Sequence, residues 1–271
     1  MAIITISRGS YSRGKQVAEK VAQTLGYACI SRDILLDASE TFNTNELKLA
    51  RAIHDAPNLL DRFSNGKERY IAYIEAALLD FCREDNLVYH GLAGHFFVRQ
   101  ISHALKVRIT ADMQTRIRAE MEANKVSERE ALKLLKEDDD QRRRWSRWLY
   151  GIDTADPNLY DLVIHLERLT PDEASDIICA TVRSGRFAAT DQSQRDLNDL
   201  ALAARVRATL VERFPDIMVK AESGAVRIRI KSSAISMSSA PVEAEIQETA
   251  AQVKGVTRVE VQLKPIMMFD D

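Results

Sequence analysis

The first eighteen residues, Met1-Ala-Ile-Ile-Thr-Ile-Ser-Arg-Gly-Ser-Tyr-Ser-Arg-Gly-Lys-Gln-Val-Ala18, constrain the fold more than any other stretch. Ala2 to Ile6 is a short, β-branched apolar run, long enough for a strand and too short for a buried helix. Gly9 to Lys15 reads G-x-x-x-x-G-K, and from Lys15 to Leu25 the apolar residues recur at helical spacing. Strand, glycine-bounded loop and helix in that order form the context in which such a loop cradles phosphate. Successive backbone N–H groups of Gly9, Ser10, Tyr11, Ser12, Arg13 and Gly14 can turn inward on an anion, and the helix starting near Gly14 points its positive end the same way. Lys15 adds a mobile point charge over the outer phosphates. Gln16 stands where Ser or Thr commonly holds Mg²⁺, and Tyr11 and Arg13 are bulky for a loop interior. The bland alternative is an ordinary βα turn with a Ser/Gly cap.

The order of elements extends this reading. Tyr27 to Ile30, Leu87 to Tyr89, Ala104 to Thr110 and Tyr160 to His165 read as further strands. The segments between them carry helical stripes, such as Tyr70, Ile71, Ile74, Ala77, Leu78 and Phe81. Ser31 reads as the N-cap of a helix beginning at Ile34, and Arg32 and Asp33 fall at the strand end where open α/β sheets bind ligands. Gly91 to Gly94 is a second tight βα turn, opening a helix through Ile101; the flanking His90 and His95 read as packing or capping residues, with a ligand role as the alternative. Alternation of strand and helix predicts an α/β fold, a parallel sheet with helices on both faces.

Ser127 and Glu130 form a capping box ahead of a long polar helix. Within it, Asp138-Asp-Asp-Gln-Arg-Arg-Arg-Trp-Ser-Arg147 packs four arginines into six residues. Arginine forks suit polyphosphate bidentately; the alternative is an exposed helix whose acidic and basic ends pair with neighbours.

Residues 185–195 read as a polar linker, dividing the chain into a domain at 1–184 and a second at 196–271. The second has the order α-β-β-α-β, with Val226-Arg-Ile-Arg-Ile230 alternating on a hairpin strand. The formal charge is −2, so no global argument for nucleic-acid binding arises. No apolar run approaches the roughly 18 residues of a membrane-spanning helix, and the chain shows no basic leader. Cys29, Cys82 and Cys179 are odd in number and widely spaced, which predicts reduced thiols, no metal cluster and a cytoplasmic protein.

On these residues the first ~180 positions resemble the cytidylate kinase-like family of P-loop nucleotide kinases. The resemblance rests on Ile4-Thr-Ile-Ser-Arg-Gly9 and the loop through Lys15, Ser31-Arg-Asp-Ile34, Arg116-Ile-Arg118, Ser127-Glu-Arg-Glu-Ala131 and the Arg142–Arg147 cluster. Its most specific piece is Asp156-Pro-x-x-Tyr-Asp-Leu-Val-Ile164. It implies a five-stranded parallel sheet, a helical acceptor-binding insertion and an arginine-bearing lid, with ATP and Mg²⁺ as cofactors. By position, Gly9 to Gln16 would hold ATP, Lys15, Arg142 and Arg144 would be catalytic, and Arg32, Asp33, Arg116 and Arg147 would contact substrate. The chain departs from the family where Gly-Arg-Gly is usual and Gly91-Leu92-Ala93 stands instead, so the acceptor need not be CMP.

The last ~75 residues resemble the BON domain through Ala204-Arg-Val-Arg207, Gly224-x-Val-x-Ile and Lys254-Gly-Val-Thr-Arg-Val259. That resemblance implies a phospholipid or a protein partner. Homo-oligomerisation stays open. Two functions stand side by side: a nucleoside monophosphate kinase-like enzyme, and a nucleotide-binding regulatory protein of weak or no turnover acting through its C-terminal module.

Overall fold

The computed structural model describes residues 2–9, 12–31, 66–91, 93–232 and 239–265. Five parallel strands form the main sheet: β1 (Ile3–Arg8), β2 (Ala28–Ser31), β3 (Leu87–His90), β4 (Ala104–Ala111) and β5 (Leu162–Leu166), in the order β2-β3-β1-β4-β5. Ile6 of β1 pairs with His90 on one side and Val107 on the other. The chain leaves β1 for β2 and β3 on one side, then crosses to β4 and β5 on the other. The loop after β1 therefore opens at a topological switch point, the crevice where open parallel sheets take their ligands.

Strand alternation separates two cores. Ile4 and Ile6 join Leu105, Val107 and Ile109 against α1 (Gly14–Leu25) and a later helix, Pro171–Arg183, through Val17, Val21, Ile178 and Cys179. On the other face Ile3, Leu87, Tyr89 and Ala104 meet α2 (Gly66–Cys82) and the single-turn α3 (Gly94–Phe97). The turn into α3 closes directly over Tyr89: a Cβ on Gly91 would lie 2.4 Å from the Tyr89 hydroxyl, and one on Gly94 2.3 Å from its ring. Both glycines are required by that contact.

α4 (Met113–Asn124) and α5 (Glu128–Tyr150) form a helical hairpin with a small core of its own, Ile117, Ala131 and Leu135. Asp112 and Ser127 cap the two helices. The C-terminal end of α5 returns to the main body, where Leu149 is buried and Tyr150 packs 5.5 Å from Phe97. Helix α6 (Pro171–Arg183) begins at the Thr170/Glu173 capping box.

The polar stretch read as a linker is in part a helix start. α7 runs Asp191–Leu210, its first turn closed by a reciprocal box between Thr190 and Ser193. Small hydroxyl residues suit both a loop and a cap, and here the cap prevails. α7 carries two adjacent apolar stripes. Leu197, Ala201, Ala204 and Ala208 belong to the core with α2, whereas Leu202, Val206 and Leu210 belong to a separate core with the small sheet. Arg207 to Glu75 at 3.0 Å, and Arg83 to Asn198 at 3.1 Å, pin α7 to α2.

The small sheet has β6 (Ile217–Glu222) antiparallel to β7 (Ala225–Ser232), and β7 parallel to β8 (Arg258–Pro265), with α8 (Ser239–Ala251) between the last two strands. Val226, Ile228 and Ile230 face its core; Arg227 and Arg229 face outward and meet Glu260 and Gln262 on β8 at 3.5 and 3.0 Å.

Ser31 ends β2, pairing with His90. One further expectation needs correction. The helix predicted through Ile101 stops at Phe97; Val98 and Ile101 are buried without it, so their spacing reflects packing alone. The helix predicted from Ile34, and Arg32 and Asp33 with it, lie outside the described residues.

Candidate functional site

The loop closes where β1 becomes α1. Ser12 Oγ donates to the Gly9 carbonyl at 2.8 Å, and Arg13 takes a left-handed conformation (φ 57°) as the residue preceding the helix, with no side-chain cap. Strain of this kind in a non-glycine residue concentrates at ligand-binding turns. Among the described residues no side chain caps the first N–H groups of α1, which suits an incoming oxyanion. Gly14 has a packing reason as well: a Cβ there would stand 2.6 Å from Cβ of Arg8 on β1. Ser10 and Tyr11 lie outside the described residues. Lys15 is 64% exposed and lies 3.7 Å from Glu19 on its own helix, so it is free to swing over the loop.

Arg116 reaches this loop from the lid. Its residue surface is 7% exposed, and a Cβ on Gly9 would touch its guanidinium at 3.8 Å. The guanidinium is gripped by Asp139 of α5, with Nη1 donating to one carboxylate oxygen at 2.8 Å and Nη2 to the other at 2.7 Å. This bidentate pair is the geometry by which an arginine would hold a phosphate. A carboxylate of the protein occupies the fork.

The other lid arginines are engaged nearby on α5 and the turn that follows. Arg142 Nε donates to Asp138 at 2.9 Å, Arg143 lies 3.8 Å from Asp140, and the exposed Arg144 donates to the Asp140 carbonyl at 3.3 Å. Arg147 pairs with Asp153 at 2.6 Å. The structure therefore brings Gly9, Arg116 and Asp139 together, and leaves Arg142, Arg144 and Arg147 with partners along the lid. Trp148 packs against the main core, with Lys67 5.5 Å from its ring.

Beneath the loop lies a cluster that sequence reasoning did not assemble. Tyr160 Oη donates to the Thr154 carbonyl at 2.9 Å and sits 3.2 Å from Ser7 Oγ on β1. Arg108 of β4 also donates to the Thr154 carbonyl and stacks over the Tyr160 ring at 5.6 Å. His95, 2% exposed, lies against Tyr160 with ring centroids 4.7 Å apart. Neither ring nitrogen finds a hydrogen-bond partner among the described residues. Burial first, and then the charges of Arg108 and Lys106, push its pKa down to about 4, so His95 is neutral at physiological pH. The sequence signals for this cluster were Tyr160 within the Asp-Pro-x-x-Tyr string and His95 beside the Gly91–Gly94 turn; nothing local joins them to each other or to Ser7 and Arg108.

For Mg²⁺ the described part of the loop offers oxygen ligands only, the Ser12 hydroxyl, which donates to the Gly9 carbonyl and keeps its lone pairs, and the Gln16 amide; the described residues contain no group of three His, Cys, Asp or Glu able to hold a metal ion by themselves.

The comparisons fit this geometry. The cytidylate kinase-like family profile matches residues 3–168, from the start of β1 to just past β5. The chain belongs to the cytidylate kinase-like family. The match contains the loop, the lid hairpin and the Tyr160 cluster, whereas α7 and the small sheet lie beyond it. A search of curated protein sequences finds no match. Among solved structures, an uncharacterised protein from Eubacterium ventriosum is similar with a TM-score of 0.52 at 20% identity, covering 68% of this chain and 99% of its own. TT1252 from Thermus thermophilus (TM-score 0.42, 16% identity, 68% and 97% covered) and shikimate kinase from Bacteroides thetaiotaomicron (0.41, 11%, 67% and 98%) are more distant. The first likeness supports the parallel-sheet fold of the family. No helix among the described residues is long and apolar enough to cross a membrane.

Proposed function

We propose that this member of the family is an ATP-dependent phosphotransferase of the nucleoside monophosphate kinase type, acting on a small acceptor that need not be CMP. The observation that carries the reading is the Arg116 guanidinium fork set against Gly9 of the phosphate loop, at the switch point of a parallel sheet. Phosphoryl transfer asks for positioning and charge neutralisation more than covalent chemistry. The uncapped N–H groups of α1 and the mobile Lys15 would hold the donor phosphates, and Arg116 would take the phosphate nearest Gly9. Arg142 and Arg144 would neutralise the moving group once released from Asp138 and Asp140. Arg147 and, outside the described residues, Arg32 and Asp33 would serve the acceptor. Mg²⁺, when bound with ATP, would supply further charge neutralisation through phosphate oxygens and water, since the described residues offer it no carboxylate set.

The test is a coupled ADP-release assay with ATP and a panel of nucleoside monophosphates, beside a binding titration. Turnover with one acceptor, and loss of ATP binding in Lys15→Ala, are the expected results. Absence of ATP binding at millimolar concentration in the unaltered chain sinks the reading.

A second reading, a nucleotide-binding regulatory protein of weak turnover, is supported by the shared helix α7. Its two stripes tie the small sheet to the α2 face, so a nucleotide-dependent change could be passed to a BON-like module with a phospholipid or protein partner. ATP binding without turnover on any acceptor favours it. Both readings place the protein in the cytoplasm, with nucleotide and no nucleic acid as ligand.

A further inference from the structure

A second basic cleft opens far from the phosphate loop in sequence, where the end of α2, the outer side of α7 and the β6–β7 turn converge. It encloses about 270 Å³ and is lined by Arg83, Arg195 and Arg205, together with Asn198, Asp199 and the turn at Ser223 and Gly224. The arginines come from both sides of the junction: Arg83 follows α2, and Arg195 and Arg205 stand on α7. Two of them are held in place. Arg83 Nε donates to Asn198 at 3.1 Å, and Asp80 lies 3.8 Å from Arg83 and 3.5 Å from Arg205. Arg205 Nε is buried and makes no hydrogen bond among the described residues. Arg195 donates to a neutral partner, Gln192, at 2.9 Å.

The turn side of the cleft is also built for an anion. Ser223 (φ 49°) and Gly224 (φ 86°) form a left-handed pair, and the Ser223 N–H already binds an oxyanion, donating to the Asp199 carboxylate at 2.8 Å. Consecutive amides in such a conformation make concave anion-binding surfaces. Gly224 admits no side chain, because a Cβ would press at 3.0 Å on the Gly255 carbonyl and on Thr257. Asp199, the one carboxylate in the lining, is engaged by the turn; the exposed Asp80, outside the lining, offsets part of the arginine charge. Three guanidinium groups against these two carboxylates leave the cleft net positive.

We propose that this junction cleft binds a small soluble ligand carrying at least two anionic groups, of the phosphoester or pyrophosphate class, bridging Arg83 at the end of α2 to Arg195 and Arg205 on α7. A soluble ligand is favoured over a lipid headgroup because Leu202 is the one apolar side chain in the lining, so nothing there receives an acyl chain. Occupation would clamp α7 to α2 from outside, at the same junction as the Arg207–Glu75 pair.

The experiment is an amide NMR titration of the full chain with inorganic pyrophosphate, at constant ionic strength held with sodium chloride. Gly224 and Gly255 report on the cleft, Gly9 and Gly14 on the phosphate loop, so the two sites are read separately. Saturable shifts at Gly224 and Gly255, weakened roughly tenfold in Arg195→Gln, are expected from the loss of one charge-assisted contact. Arg195 is exposed and bonded only to Gln192 among the described residues, so this variant leaves the fold intact. The proposal is overturned if Gly224 and Gly255 stay still, if their shifts are the same in Arg195→Gln, or if only phosphatidylglycerol vesicles and not pyrophosphate move them. Shifts at Gly224 with none at Gly9 and Gly14 would uphold the cleft and count against the kinase reading.

Discussion

Asp139→Asn probes whether the lid carboxylate stands in for a phosphate. The Arg116–Asp139 pair has two short bonds, and the side chains are 9% and 30% exposed. Breaking a fully buried pair by removing one partner costs about 3–5 kcal/mol, and one hydrogen bond to a charged group about 1.5–3 kcal/mol. Asparagine keeps one acceptor oxygen, and Asp139 is partly in water. A loss of about 2 kcal/mol is therefore expected without ligand, or a fall in Tm of roughly 4–8 °C for a chain of this size. ATP binding should move the other way. If a phosphate takes the fork only after Asp139 leaves, the same ~2 kcal/mol opposes binding in the natural chain, and its removal tightens ATP by up to about thirtyfold. Melting curves over a series of ATP concentrations measure both, because ligand stabilises by RT ln(1 + [L]/Kd). The variant should melt lower without ATP and close the gap as ATP rises. Weaker ATP binding in Asp139→Asn would refute the reasoning, making Asp139 a residue that positions Arg116 for the ligand.

Three further outcomes are expected. His95→Leu should flatten the acid limb of stability: with the native pKa held near 4 and the unfolded one near 6.5, the unfolded chain binds the extra proton, so the natural protein loses about 2 kcal/mol between pH 7 and pH 5 that the variant keeps. Urea midpoints of both proteins at the two pH values check this, and equal losses would contradict it. Gly14→Ala should cost about 1–3 kcal/mol by forcing Arg8 and α1 apart; an unchanged melting temperature would show that the β1–α1 contact yields freely. A chain ending at residue 184 should melt lower than the full chain and scatter light, because removing α7 uncovers the face of α2 that Leu197, Ala201 and Ala204 bury. A truncated chain with the full-length melting temperature would contradict that.

The sheet was legible because buried parallel strands are short β-branched runs between turn signals, and Ile3 to Ile6 or Val107 to Ile109 leave little choice. The start of α7 was not. Thr190, Asp191 and Ser193 serve equally in a loop and in a cap, and only the helix that follows decides between them. The double role of α7 was hidden for a related reason. Its two stripes are one residue apart on the helix surface, so they read as one broad apolar face until the two cores separate them.

The site was half legible, and the missing half is electrostatic. Counting Arg142, Arg143, Arg144 and Arg147 marks an anion-binding lid, yet three aspartates stand one residue before them, so residues 138–147 carry a net charge of only +1. On a helix these charges are neighbours at i+3 and i+4, and Asp138–Arg142 and Asp140–Arg143 pair as that spacing dictates. Asp139 has Arg142 and Arg143 at the same spacings, yet it reaches across to Arg116 on α4, a contact between residues 23 apart that no local pattern encodes. The same segment thus reads as a phosphate clamp by composition, while in the fold its aspartates engage Arg142, Arg143 and Arg116. Both follow from one set of residues. A polyphosphate, denser in charge than a carboxylate and able to span several forks at once, is the kind of ligand that would exchange these internal pairs for its own.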